Sequence, residues 1–301
     1  MTALAPTSLG KRRRRQDNAG YLFLLPWLVG LLFTVGPFLV SLYLAFTDYN
    51  LIEPPKWSGL ENTKELLHDT TLHHSLWVTF VYVVVSVPLS LAAALGVAMV
   101  LQRGIRGLPI YRSVYYLPSL LGGSVAIVMM WKYIFAPDGI VNKGLALIGI
   151  TGPAWTSDPK YALTTLIILH IWTFGSPMVI FLAGLKQIPN MYYEAASMDG
   201  ASSWRQFRSV TLPLLSPIIF FNLVQSLIAS FQTFTQGFVM SGGTGGPAES
   251  TLFYNLYLYQ KGFAQFDMGY ASAMAWLLLI IIAVFTAVNF LGARFWVFYD
   301  N

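Results

Sequence analysis

Few side chains in this sequence have the type and spacing to do chemistry. His68, Asp69, His73 and His74 bring three imidazoles and a carboxylate together, but their spacing matches no zinc pattern and a solvated loop is the better reading. Gly242-Gly-Thr-Gly-Gly-Pro247 has the glycine content of a phosphate cradle without the Gly-Lys-Ser/Thr that would grip a phosphate. No Walker motif occurs, so the sequence offers no nucleotide-hydrolysing site of that kind. There is no cysteine, which excludes disulfides, thiolate zinc sites and cysteine nucleophiles. His170 stands in an apolar run and reads as a helix contact rather than a proton relay. No nucleophile–base pair falls within an apolar stretch, as a membrane-embedded enzyme would require. The expected catalytic and metal-ligating residues are therefore none.

One segment is different. Residues 186–213 hold Ile188-Pro-Asn-Met-Tyr-Tyr-Glu-Ala-Ala-Ser-Met-Asp-Gly-Ala-Ser-Ser-Trp-Arg-Gln-Phe-Arg-Ser-Val-Thr-Leu-Pro213. The segment predicts two short helices. The first runs from Asn190 as N-cap to a stop at Gly200. The second opens on Ser203-x-x-Gln206, a capping-box pattern, and must end near Leu212 because Pro213 disfavours helix in the residue before it. Met191, Ala195, Met198, Trp204 and Phe207 recur at helical spacing and offer apolar faces to a protein partner.

The elements that must position this loop are apolar. The chain has 301 residues, 55% hydrophobic and 10% charged, where a soluble protein is nearer a quarter charged. Lipid is the natural solvent for such a surface. Crossing the hydrocarbon takes about 20 apolar residues. Six stretches qualify: Tyr21–Phe46, Leu76–Leu101, Ser113–Phe135, Tyr161–Leu185, Pro213–Val239 and Gly269–Gly292. The first follows Lys11-Arg12-Arg13-Arg14-Arg15, but it is too long for a signal core and has no small-residue cleavage site. The expected organisation is a basic cytoplasmic tail, residues 1–20, and a six-helix membrane domain, residues 21–301, with no internal repeat. Placing the basic run in the cytoplasm puts every arginine inside, from Arg103, Arg106 and Arg112 to Arg205, Arg208 and Arg294, as the positive-inside rule requires. Both termini are then cytoplasmic. Trp27, Trp57, Trp131, Trp155 and Trp296 fall near span ends, where interfacial anchors belong. The net charge of +5 does not suggest nucleic acid, because the basic residues punctuate apolar runs and form no patch interleaved with aromatics.

The loop also resembles a known signature. Glu194, Ala195, Ala196, Gly200, Val210, Leu212 and Pro213 match the Glu-Ala-Ala, three residues, Gly, nine residues, Ile, one residue, Leu-Pro pattern of the membrane subunits of binding-protein-dependent ABC importers. Valine for isoleucine is the only departure. Six identities at fixed spacing, at residue frequencies of about 5–10%, arise by chance less than once in a million windows. The rest of the chain is similar to the maltose and glycerol-phosphate branch, the larger-sugar importers. The similarity is carried by Tyr21–Trp27 with Ser41–Asp48, Tyr115-Tyr-Leu-Pro118, Phe266–Trp276, and Gly242–Pro247 with Ser250-Thr251.

The resemblance implies an all-α integral membrane protein with the type I ABC importer permease fold, in the bacterial cytoplasmic (inner) membrane. Its partners would be a second homologous permease, an ATPase dimer and an extracytoplasmic solute-binding protein that delivers a sugar. The chain would bind no cofactor itself, since ATP and Mg belong to the ATPase. The loop would form the coupling helices, in which Glu194 pairs with a basic ATPase residue, Ala195 and Ala196 permit close approach, Gly200 allows the sharp turn and Pro213 passes motion to span five, with Asp199, Val210 and Leu212 in the same ATPase-coupling set. The cycle implied is alternating access, with ATP binding favouring the outward-facing state.

Span five is the candidate wall of the route. At 100° per residue, Asn222, Gln225, Ser226, Gln232, Thr233 and Gln236 fall within about half the helix circumference. Such side chains either meet sugar hydroxyls in a water-filled path or bond neighbouring helices, and both roles satisfy the same rule. A stand-alone secondary transporter is the main competing reading. It would be expected to carry intramembrane carboxylates, and no Asp or Glu lies within a span.

Overall fold

The computed structural model describes residues 9–104 and 107–298, with side chains from Phe23 onward. The side chains of the expected basic tail, residues 1–20, and Arg106 lie outside the described residues. Helix α1 (Leu9–Leu44) enters the bundle and is followed by a two-residue hairpin, Thr47–Asp48 paired antiparallel with Lys56–Trp57. Next come α2 (Glu61–His68), lying across the end of the bundle, and the long α3 (Thr70–Gln102). Asp69 N-caps α3 by accepting from the Leu72 N–H at 3.0 Å, satisfying one of the free amides of the first turn. Helices α4 (Leu108–Leu121) and α5 (Val125–Ile134) follow, then the short α6 (Ile140–Leu147). A return path is made by α7 (Pro159–Trp172) and α8 (Gly175–Gln187). Beyond it lie α9 (Asn190–Met198), α10 (Ser203–Gln206), a π-turn over Phe207–Thr211, and α11 (Leu212–Phe231). The chain closes with α12 (Thr235–Ser241), α13 (Tyr254–Tyr259), a second π-turn at Gln260–Ala264, and α14 (Met268–Ala293).

Five helices are long and apolar enough to cross a membrane, and six if α4 and α5 count as one span. They alternate in direction. One end of the bundle therefore carries α9, α10 and the starts of α4 and α11, and the other carries α2, α6, α13 and the hairpin. The first is called here the arginine end, after Arg103, Arg112, Arg205, Arg208 and Arg294.

The third expected span, Ser113–Phe135, is not one rod. It breaks at Gly122-Gly123-Ser124 and turns by 101°. Ser124 caps the new helix, accepting from the Ile127 N–H, so the bend has its own start signal. The fifth span ends at Phe231, not Val239, because Gln232–Phe234 leave the helix before α12 begins. The expected helix stop near Leu212 is also absent. Leu212 is helical at φ −65°, ψ −45°, and α10, the π-turn and α11 run on without a gap. Proline lacks an N–H and its ring clashes with the carbonyl four residues earlier. The wider π-turn immediately before Pro213 accommodates both, which is how the helix passes through.

The core centres on α3. Tyr82, Val83, Val87, Ala94 and Ala98 are buried along it, and α7, α8, α11 and α13 pack around them. Glycine permits a close helix crossing. A Cβ on Gly175 would collide with the Tyr115 carbonyl oxygen and reach 2.7 Å from the Tyr116 Cα, so α8 crosses α4 at backbone distance, as small residues allow in membranes. Trp131, expected as an interfacial anchor, is instead buried; its Nε1–H donates to the Thr165 carbonyl at 3.0 Å. Trp155 packs edge-on against Phe135 and donates to Asn142 at 2.7 Å. By contrast, α1 is exposed at every residue from Phe23 to Val35. It meets the rest of the chain only higher up, where Phe38 lies 4.5 Å from the Trp276 ring and Ser41 accepts from Trp276.

Candidate functional site

The loop at the arginine end folds as two short helices set at an angle by a glycine. At the end of α9, the Ala201 N–H donates to Ala196 O at 2.9 Å and the Gly200 N–H donates to Ser197 O at 3.0 Å. This is the paired capping pattern that closes a helix on a left-handed residue. Gly200 has φ +73°, a conformation that costs other residues about 1–2 kcal/mol. The expected caps shift by one residue: Pro189 precedes α9 where Asn190 was expected, and Ser202, not Ser203, caps α10. The Gln206 amide does reach back, donating to Ser197 Oγ at 2.9 Å and Ala201 O at 3.2 Å. It joins the two helices to each other instead of closing a capping box.

The outer surface of this pair is apolar and open. Met198 is 84% exposed and Trp204 69% exposed, with Met191 beside them. Glu194, Ala195, Asp199 and Gly200 are exposed, and Ala196 is half-buried. The two ion pairs among the described residues are Lys56–Glu53 and Lys261–Glu65, so Glu194 has no ion-pair partner among the described residues. The inner side is tied down. Tyr193 and Thr211 share a hydrogen bond of 3.0 Å, linking α9 to the root of α11. Val210 packs against the core, Pro213 is half-buried and Leu212 remains partly exposed. Between α9 and the end of α3 lies a cavity of about 700 Å³ bordered by Gln102, Arg103, Glu194 and Gln206. Helix α9 is therefore tied to the continuous α10–α11 helix by two side-chain bonds, Tyr193–Thr211 and Gln206–Ser197.

A second site lies deep in the bundle. Helix interruptions at Gly122–Ser124 and Thr173–Phe174 border a polar cavity of about 170 Å³, which Gln236, just beyond a third interruption at Gln232–Phe234, also lines. Its lining includes Tyr82, Ser119, His170, Thr173, Ser176 and Gln236. A single water needs about 10–15 Å³, so the space holds several. Irregular backbone at membrane depth is tolerated only where protein or a water-filled cavity surrounds it. Ser176 donates to Ser119 at 3.1 Å, and His170 meets Tyr82 edge-on with ring centres 5.6 Å apart.

Of the six span-five candidates, only Gln236 lines this cavity. Asn222 is buried, but its amide donates to Ile218 O within its own helix. Gln225 is exposed, Ser226 half-buried, Gln232 exposed at the helix break and Thr233 buried there. The single polar face expected for span five does not exist, because the helix ends between Phe231 and Thr235. Ser119, His170, Thr173 and Ser176 were missed as a group. The available signals were Gly122-Gly123-Ser124 and Gly175-Ser176-Pro177, turn-forming residues inside apolar runs.

A third cluster forms at the opposite end. Asp69 Oδ2 accepts from Tyr270 at 2.6 Å and from Tyr257 at 2.7 Å, and Lys261 sits 4.9 Å from the Tyr270 ring centre. Burial raises the Asp69 carboxyl, but the bonds from Tyr270, Tyr257 and the Leu72 amide, with Lys261 nearby, outweigh it and hold the group below the ordinary carboxylate range. Beside it, His68 Nδ1 lies 2.8 Å from Lys64 O and His74 Nε2 lies 3.3 Å from Glu249 O.

Residues 76–296 match the family described as the binding-protein-dependent transport system inner membrane component. The chain belongs to this family. The permease is 49% identical over 306 aligned positions to the probable ABC transporter permease protein YesP of Bacillus subtilis, covering 100% of this chain and 99% of the relative. It is 34% identical to the lactose transport system permease protein LacF of Rhizobium radiobacter, over 97% and 99% of the two chains. Its fold matches a bacterial ABC transporter involved in the import of the acidic polysaccharide alginate. That match has a TM-score of 0.76 at 22% identity and covers 96% of the permease and 99% of the other chain. Its five long apolar helices, six spans if the bent α4–α5 pair counts as one, make the permease a multi-pass membrane protein.

Proposed function

We propose that the permease forms half of the translocation pathway of an ATP-driven sugar importer in a bacterial cytoplasmic membrane. A second homologous permease supplies the other half, two ATPase copies dock at the arginine end in the cytoplasm, and a solute-binding protein delivers the sugar at the opposite end. Both termini are cytoplasmic in this reading. The observation that carries it is the α9–α10 pair: an exposed apolar face with Glu194 exposed beside it, bonded on its inner side to the root of α11. Such a surface has no use in a transporter that works alone. Glu194 meets a basic ATPase residue, Ala195 and Ala196 let the surfaces close, and Gly200 holds the angle. ATP and Mg stay on the ATPase.

The polar cavity at the helix breaks is the sugar's passage through this half of the pathway. Its hydroxyls, imidazole and amide suit a ligand of many hydroxyls. Helices α5 and α8 open close to it, and their amide ends favour the lone pairs of sugar oxygens. Relatives named for lactose, starch degradation products and arabinooligosaccharides support sugars as the substrate class.

The test is co-purification of tagged permease with its ATPase, in wild type, Glu194→Ala and Gly200→Arg. The wild type is expected to retain the ATPase and stimulate it when liganded binding protein is added, and both variants are expected to lose that coupling. Transport by the permease alone, unaffected by either substitution, would overturn the proposal.

A further inference from the structure

We propose that the ATPase inserts a pair of oppositely charged side chains into the cavity behind the α9–α10 face, where Arg103 at the end of α3 takes the acidic one. This rests on the reading that an ATPase docks at the arginine end, and it adds a second contact element to that docking. The cavity, of about 700 Å³, has the last turn of α3 as one wall and α9 with the root of α11 as the other. The walls carry opposite charges, Arg103 on the first and Glu194 on the second. They do not pair with each other, and both ion pairs among the described residues lie elsewhere. Glu194 calls for a basic group and Arg103 for an acidic one. The occupant of matching charge is a protein element that carries both.

The lining gives such an insertion a mechanical use. Tyr193 and Thr211, bonded at 3.0 Å, and Ser197 and Gln206, bonded at 2.9 Å, all border the cavity. Both side-chain bonds that tie α9 to the α10–α11 helix therefore lie along one wall. The facing wall belongs to the core. The Gln102 amide donates to Leu185 O at 3.1 Å, which fastens the end of α3 to the end of α8. An ATPase side chain in this space stands between a wall fixed to α3 and α8 and a wall that leads into α11. Its movement changes the separation of the two, which a contact on the outer face alone would not do. A basic residue at a helix C-terminus also complements the helix dipole, but that use of Arg103 needs no partner and gives no cross-link to one.

The experiment uses the complete complex, this permease with the second permease and the ATPase, in nanodiscs. The chain has no cysteine of its own, so a small maleimide diazirine can be placed at one position. Met198→Cys samples the exposed face of α9, and Met99→Cys samples the α3 wall of the cavity. Both are expected to cross-link to the ATPase on illumination. Arg103→Gln should lower stimulation by liganded binding protein about fivefold, the upper end for one exposed ion pair. Arg103→Glu should lower it by more than about tenfold, because like charges then meet, and Arg103→Lys should retain most of it. Arg294→Gln, which removes a positive charge at the same end, should match wild type. Co-purified second permease confirms that each variant is assembled. A cross-link from Met198→Cys without one from Met99→Cys overturns the insertion and leaves the docking reading standing. No cross-link from either position overturns both. A cross-link from Met99→Cys to the second permease alone overturns the insertion by making the cavity a contact between permeases. Equal stimulation in Arg103→Glu and wild type overturns the role of Arg103.

Discussion

Asp69 accepts three hydrogen bonds from three separate elements, the start of α3, α13 and α14. Bonds to a charged acceptor are worth about 1.5–3 kcal/mol each, so Asp69→Ala should lower the melting temperature more than Tyr257→Phe or Tyr270→Phe alone. The pH dependence follows from the direction of the shift. Because the folded carboxyl is depressed, its contribution is complete above the unfolded value of about 3.9 and is lost as pH falls through the folded one. Thermal unfolding of wild type and Asp69→Asn should therefore differ by a constant gap from pH 7 to pH 5, narrowing below about pH 4. A gap that changes near neutrality would show that Asp69 is not held ionised as described. Gly200 offers a second test. Its φ of +73° is tolerated by asparagine better than by alanine, so Gly200→Asn should keep more ATPase in a pulldown than Gly200→Ala.

At the scale of elements, the bond between Tyr193 and Thr211 is the cross-link that reaches the root of span five, beside the Gln206–Ser197 bond one turn earlier. Tyr193→Phe removes about 1 kcal/mol of interaction without changing the exposed face. ATPase binding should survive, while stimulation by liganded binding protein should drop several-fold; unchanged stimulation would place the coupling elsewhere. The spans and the two-helix loop were legible because apolar run length and helix caps are local properties. Their interruptions were less so. Gly122-Gly123-Ser124 contains a break signal and a cap, but not the 101° angle, which sets α5 against α12, a contact far apart in sequence. The passage of a helix through Pro213 defeated the local rule outright, because a π-turn can supply the space that the rule assumes is missing. The polar residues of span five obeyed helical spacing only up to Phe231, and the cavity instead gathers side chains from four separate helices, α3, α4, α7 and α8, together with Gln236 of α12.

On the scale of the whole molecule, the lack of cysteine makes the route open to single-site labelling. Gln236→Cys and Ser119→Cys, both in the polar cavity, should react with a small water-soluble thiol reagent in the assembled transporter and be protected by substrate. Gln225→Cys, away from that cavity, should show no protection; equal protection at all three positions would place the path along α11 instead. The ends of the bundle are held unequally. One is fastened by Asp69 and its tyrosines, and the other hangs from α9 and a π-turn. That π-turn has a geometric meaning of its own. Residues 207–211 carry one residue more than an α-helical turn needs. Deleting Ser209 would not simply shorten the helix. Each residue advances a helix by about 100° and 1.5 Å, so the deletion would rotate all of α11 against a bundle whose other contacts stay still. Asn222 would swing off its buried side while the docking face kept its shape. The spare residue fixes the angle at which span five meets the rest of the molecule, and movement of the bulge along the chain would be read inside the membrane as rotation.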